Sequence, residues 1–216
     1  MSKPMIYRIN PTKLVPNSPN PLLHYKSYFS NGGQVDAAHV YDTFQSNGWQ
    51  VQWVSRYGKY QRSHYHPETH EVMVVLSGPG IIRWGVADTD DDWEKHTYGQ
   101  AYEDGGLQIE ANVGDVFVIP AGVAHKSFDP RTSTPDVQSL TGGGHGIESG
   151  DQDPRDAVCF VPLSGFTMMG AYPQGFTWSW SEGGDHLAQF DVVRNVAKPE
   201  RDPILGNVGG TSTLWK

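Results

Sequence analysis

The sequence predicts an all-β fold with a short helix near the N-terminus, and three observations carry that prediction. First, 25 Gly and 15 Pro among 216 residues supply turns in number. Second, 7 Trp, 10 Tyr and 8 Phe sit mostly in short runs that suit pleated strands. Third, sustained helical periodicity is confined to one stretch. A chain of this length makes one substantial domain with its own core, over residues 1–216.

Taken in order, residues 1–31 form an N-terminal arm whose five prolines forbid a long helix. The arm wraps across the domain or adds an edge strand at HYKSYF, with His24 on the surface. Gln34–Phe44 is the helix: Val35, Ala38, Tyr41 and Phe44 share a side, and Asn47-Gly48 stops it. His39 lies in it as a structural residue. Trp49–Tyr60 alternates and is rich in β-formers, and Glu71–Ser77 and Ile81–Val86 flank the hairpin signal Gly78-Pro79-Gly80. Residues 88–108 read as a loop insertion. Its acidic patch, Asp88–Asp92 with Glu94, is expected to be solvated, and it lacks the spacing of a calcium loop. His96 is expected to stand alone there. Leu107–Val113 alternates, DVFVIP is a buried strand, and Pro120-Ala121-Gly122 turns the chain before His125. Residues 130–157, rich in Gly, Pro, Ser and Thr, read as a second, long and mobile insertion, with His145 outside the chemistry. Ala157–Val161, Gly165–Tyr172 and Phe176–Trp180 close the fold, so the core spans about 49–180, and 191–216 form an extended tail.

Composition excludes several classes. The net charge of −8, with no run of Lys or Arg, argues against nucleic acid as a partner. The single cysteine, Cys159, cannot form an internal disulfide, and its apolar neighbours predict a buried structural thiol. No stretch resembles a secretory signal or approaches the roughly 18 apolar residues of a membrane span. The expected setting is cytoplasmic, without a membrane partner.

The chemistry is concentrated in GKYQRSHYHPETHEVMVVLSG. His64 and His66 stand one residue apart, and on a strand their side chains share a face. Glu71 opens the next apolar run, and His125 follows far downstream. Three imidazoles and a carboxylate suit one divalent transition ion, Fe, Mn, Ni, Cu or Zn, better than Ca or Mg. His70, next to Glu71, is expected to point to the opposite face. Around these ligands, Arg56 and Trp53 on the preceding strand, Met73 by parity with Glu71, and Tyr172 are the candidates to line a substrate pocket. Arg56 would pair with a carboxylate, and Met73 would form part of an apolar wall.

Gly58, His64, His66, Glu71 and Gly78 in the first stretch, and Gly114, Pro120, Gly122 and His125 in the second, resemble both motifs of the cupin superfamily. The departure is Asp129, where the second motif commonly ends in Asn. Further segments, among them PNSPNPLLHYK, FQSNGWQVQW and GAYPQG, are similar to the YjlB-like cupins, which have no general activity to carry over. The resemblance implies a double-stranded β-helix, a jelly-roll barrel whose mouth holds a metal on His64, His66, Glu71 and His125. It also implies association through outer strands, so a homodimer is expected. The function expected is a metal-dependent enzyme acting on a small organic molecule, with Fe(II)-type dioxygenase chemistry first. A non-redox isomerase, lyase or decarboxylase using the metal as a Lewis acid is the alternative, and a non-catalytic small-molecule binder the third.

Overall fold

A computed structural model describes residues 3–185 and 189–216. In chain order the elements are β1 (Met5–Tyr7), β2 (Leu22–Tyr25), α1 (Ala37–Ser46), β3 (Trp49–Arg56), β4 (His64–Tyr65) and β5 (Glu71–Ser77). There follow β6 (Gly80–Trp84), α2 (Trp93–Thr97), β7 (Leu107–Ala111), β8 (Val116–Ile119), β9 (His125–Phe128) and β10 (Gln138–Ser139). The chain finishes with α3 (Pro154–Cys159), β11 (Thr167–Pro173), β12 (Ser181–Glu182), α4 (Phe190–Asn195) and α5 (Thr211–Leu214). The strands make two sheets, ordered β1-β2-β8-β5-β11-β3-β10 and β12-β4-β9-β6-β7, with every pairing antiparallel. Face to face, they form a jelly-roll barrel.

The continuous apolar run of β5 is explained by what covers it. Val72, Val74 and Leu76 pack outward, in one cluster with Val40 and Phe44 of α1, Val158 of α3 and Trp215 of the tail. Met73 and Val75 pack inward with Trp84, Phe117 and Met168. A strand buried on both faces loses the polar alternation of a one-sided sheet. Helix α1 starts on Asp36, whose carboxylate accepts from the N–H groups of Ala38 and His39, and it buries Val40, Tyr41 and Phe44.

Several sequence expectations are corrected. Ala157–Val161 does not form a strand: Asp153 caps α3 and Pro154 stands in its first turn, a combination that starts helices. The helix turns only Val158 fully inward, so Cys159 is exposed rather than buried. The arm supplies β1 at the edge of the large sheet and β2, Leu22–Tyr25, inside it, so His24 is buried, its Nε2 3.0 Å from Asp115 Oδ2. Asp88 and His96 are not solvated. Both lie against Lys126, which projects from β9 to the outer face of the small sheet. Residues 130–157 do not stand away from the barrel. Gln138 and Ser139 pair with Arg56 and Ser55 of β3, and Leu140 N–H donates to Val54 C=O at 2.8 Å.

Candidate metal centre

The register of the small sheet builds the site. His64 on β4 pairs with His125 on β9, and Trp84 of β6 pairs with His125 on the other side. His66 follows two residues after His64, so the strand alternation returns it to the same face. Ring nitrogens of His64, His66 and His125 all lie within 4.8 Å of one another, and all three residues are buried.

Each imidazole is oriented by a backbone carbonyl. The Nδ1 atoms of His64, His66 and His125 lie 3.0, 2.5 and 3.1 Å from the carbonyl oxygens of Arg62, Ser179 and Val123. A carbonyl only accepts, so each Nδ1 carries the proton and each Nε2 presents its lone pair. Two of these carbonyls are local. Ser179, by contrast, is 113 residues from His66. Burial, aided by the neighbouring rings, holds His64 well below its ordinary value. Burial also lowers His66, against the pull of Glu71. These two rings are therefore neutral at neutral pH, as metal ligation would require.

Glu71 enters from the opposite sheet, at the start of β5. Its Oε1 accepts from the Tyr172 hydroxyl, and Trp53 Nε1–H donates to that same hydroxyl oxygen at 2.9 Å. Its Oε2 lies 3.2 Å from His125 Nε2 and 3.6 Å from His66 Nε2 yet has no hydrogen-bond donor. A buried carboxylate oxygen facing imidazole lone pairs is costly unless a cation joins them. The donor set thus fits one divalent transition ion, with three nitrogens and one oxygen of intermediate softness.

A cavity of about 170 Å³ opens on these side chains. Of the residues nominated from the sequence, Trp53, Met73 and Tyr172 line it. Arg56 does not. Trp53, Ser55 and Tyr57 face inward by alternation, which turns Arg56 outward, where it donates to the carbonyls of Ser164 and Pro162 at 2.9 and 2.7 Å. His70 points away as expected. Its Nδ1 accepts from Ala121 N–H at 2.9 Å and its Nε2 lies 3.1 Å from Ala197 O, while burial pushes it down to about 4.

The rest of the wall was not nominated. Tyr57, Gln61, Trp178 and Trp180 line the cavity, with Ser139 and Gly144 from the second insertion. The spacing of Tyr57 from Trp53 carried a signal, since both are odd positions of one strand. Trp178 and Trp180 carried none: residues 178–180 form no strand, and they reach the site only through long-range packing. Trp180 stacks on His64, with centroids 3.6 Å apart and planes 7° from parallel. His145, read from sequence as remote, stacks on Trp178 at 4.1 Å.

A larger cavity, about 570 Å³, lies outside the barrel between the end of α1 and residues 196–201. No unpartnered buried polar atom lines it, whereas the smaller one has Glu71 Oε2. Size favours the first and chemistry the second. Chemistry decides here, because a site needs groups whose bonding capacity is left over.

Residues 19–134 match the family described as Cupin. A protein of Bacillus subtilis (strain 168), described as the uncharacterized protein YjlB, is 26% identical over 204 residues, covering 93% of this chain and 90% of its own. Among solved structures, the capsular polysaccharide assembling protein CapF of Staphylococcus aureus is similar over 82% of this chain and 30% of its own, at 13% identity and a TM-score of 0.31. This chain thus spans about a third of CapF. The dTDP-4-dehydrorhamnose 3,5-epimerase of Bacillus anthracis is similar over 98% of this chain and 90% of its own, at 14% identity and a TM-score of 0.29. Structural likenesses at this level bear on neither substrate nor reaction. No helix among the described residues is long and apolar enough to cross a membrane.

Proposed function

The chain belongs to the cupin family, and from that premise we propose that it is a metal-dependent enzyme of the oxygenase type acting on a small organic molecule. His64, His66, His125 and Glu71 would hold one divalent transition ion. The observation that carries this reading is the orphaned Oε2 of Glu71 among imidazoles whose Nδ1 protons are already committed. A metal bound there supplies Lewis acidity and, if redox-active, a route for activating dioxygen.

The chain's own part is to hold the ligands and to enclose the substrate. Tyr172 keeps its proton, because burial and the charge of Glu71 raise it well above its ordinary value. It therefore donates steadily to Oε1 and leaves Oε2 as the ligating oxygen. Trp53 fixes the Tyr172 oxygen in turn. The cavity gives the substrate a small, half-open chamber beside these ligands.

Oxidation is favoured over isomerase, lyase or decarboxylase chemistry by what the lining lacks. Apart from the four proposed ligands, the ionisable side chains lining the cavity among the described residues are Tyr57 and Tyr172. Both are raised by burial and by Glu71, so neither is a base at neutral pH. A reaction that depends on moving a carbon-bound proton needs such a base. The deciding experiment loads the protein anaerobically with Fe(II) or Zn(II), adds candidate chelating substrates and follows oxygen uptake and product. Uptake with Fe(II) alone is the expected result. Turnover with Zn(II) in the absence of oxygen would replace this reading by the Lewis-acid one, and retention of a ligand without product in either case would make the protein a binder.

A further inference from the structure

Apart from the proposed ligands, the cavity is lined among the described residues by side chains without a formal charge. Trp178 and Trp180 wall it, and each has spent its one hydrogen-bond donor: Trp178 Nε1–H on Gly144 C=O at 2.6 Å, Trp180 Nε1–H on Glu182 Oε1 at 2.9 Å. Each also has an imidazole, of His145 or His64, stacked on its ring. The two indoles are thereby fixed in place and offer a ligand only aromatic carbon.

No Lys or Arg lines the cavity among the described residues. The three adjacent to lining residues in sequence are committed elsewhere, Arg56 to backbone carbonyls, Arg62 to Glu182, Asp91 and the Asp90 carbonyl, and Lys126 to Asp88. What remains for hydrogen bonding is neutral. The Tyr57 hydroxyl has no hydrogen-bond partner among the described residues although Tyr57 is only 5% exposed. The Gln61 carbonyl already accepts from Ser127 N–H, leaving its amide protons. An anionic group pressed against these rings away from the metal would lose water without gaining a counter-charge, which is costly. The chain's net charge of −8 adds a long-range bias against anions. A positive group is disfavoured as well, by the charge of the ion the ligand shares the chamber with. The volume, about 170 Å³, is close to the roughly 150 Å³ of a cavity that takes benzene.

We infer that this site takes an uncharged, planar, one-ring molecule that meets the metal through oxygen and rests its far end against Trp178, Trp180 and Tyr57. The end that meets the ion and the exclusion of cations rest on the proposed function; the exclusion of anions at the far end stands on the lining alone.

A matched trio tests it: 4-methylcatechol, 3,4-dihydroxybenzoate and 4-(aminomethyl)catechol share a chelating end and differ at the other in charge. Zinc content of the loaded full chain is measured first, then calorimetric affinity for each compound under argon. The expected result is one zinc per chain and at least about tenfold tighter binding of 4-methylcatechol than of either charged analogue. The variant Trp178→Leu should weaken that binding at least about fivefold and keep its zinc. Equal or tighter binding of the carboxylate or the amine, no binding of any of the three at millimolar concentration, or an unaffected Trp178→Leu variant would overturn the proposal. Substoichiometric zinc would instead overturn the metal reading. Exclusion of anions is then judged on the metal-free protein, where weaker binding of 3,4-dihydroxybenzoate than of 4-methylcatechol supports it and equal or tighter binding removes it.

Discussion

Strand β9 separates two buried polar clusters that differ in one respect. On the inner face, His125 joins His64, His66 and Glu71, and lone pairs are left over: three Nε2 atoms and Oε2 of Glu71. On the outer face, Lys126 Nζ lies 3.1 Å from Asp88 Oδ1, 2.7 Å from His96 Nδ1 and 3.2 Å from Thr97 Oγ1, while Arg83 donates to the carbonyls of His96 and Thr97. Both clusters hold ionisable groups out of water, but only the inner one has capacity to spare. The outer cluster fastens residues 88–108 to the small sheet, and the inner one keeps an unpartnered carboxylate oxygen. Burial of charge does not by itself mark a site; unspent bonding does.

The contrast can be broken most forcibly from outside. Asp88→Asn leaves the ammonium of Lys126 buried without its counter-charge, so the unfolding free energy should drop by about 1–3 kcal/mol while metal stoichiometry stays the same. Urea denaturation beside metal analysis reads both, and a metal-depleted but stable variant would reverse the assignment of the two faces. Lys126 also gives a pH signature. Burial pushes Lys126 down to about 8 from its ordinary 10.5, against the pull of Asp88. Across that window the unfolded chain holds a proton that the fold has released, so stability should rise with pH from 8 to 10.5, by up to about 3 kcal/mol. Urea midpoints over this range should climb in the parent protein and lie flat in Lys126→Met; parallel curves would disprove the assignment.

From inside, the effects shift from stability to binding. Glu71→Gln keeps the shape of the side chain but removes its charge, and metal affinity should fall by about 100-fold, roughly 2.7 kcal/mol. Its melting temperature without metal should be equal or higher, because an unsatisfied buried charge is gone. A variant that melts lower and binds metal normally would make Glu71 structural. Smaller still is the effect of the groups behind it. Tyr172→Phe frees Oε1, and Gly170→Ala places a methyl 2.1 Å from the Trp53 indole that holds Tyr172. Each should weaken metal binding by about tenfold. If both substitutions cost stability and leave metal affinity untouched, the path from Trp53 through Tyr172 to Glu71 does not position the carboxylate.

How much of this was legible in the sequence follows from how far apart the partners lie. His64 and His66 share a face through local alternation, and the glycine- and proline-marked strands around Glu71 and His125 could be read within short windows. Arg56 was misread although parity was available, since positions 53 and 56 of an unbroken strand cannot face the same side. Helix α3 likewise announced itself in Asp153-Pro154, a start signal overlooked beside the apolar residues that follow. Other features had no local trace. Tyr172 meets Glu71 across 101 residues, and Lys126 meets His96 across 30. Such pairs come from sheet register and from the packing of insertions, and the residues themselves carry no periodicity that would reveal them.

The tripeptide Trp178-Ser179-Trp180 has a dual attachment. Its outer two members frame the entrance, and its middle carbonyl steadies the His66 ring from outside the barrel strands. Anything that pushes this strap outward to get past also releases one imidazole. On the proposed function, admitting an organic ligand past this strap would loosen the support of His66 as well.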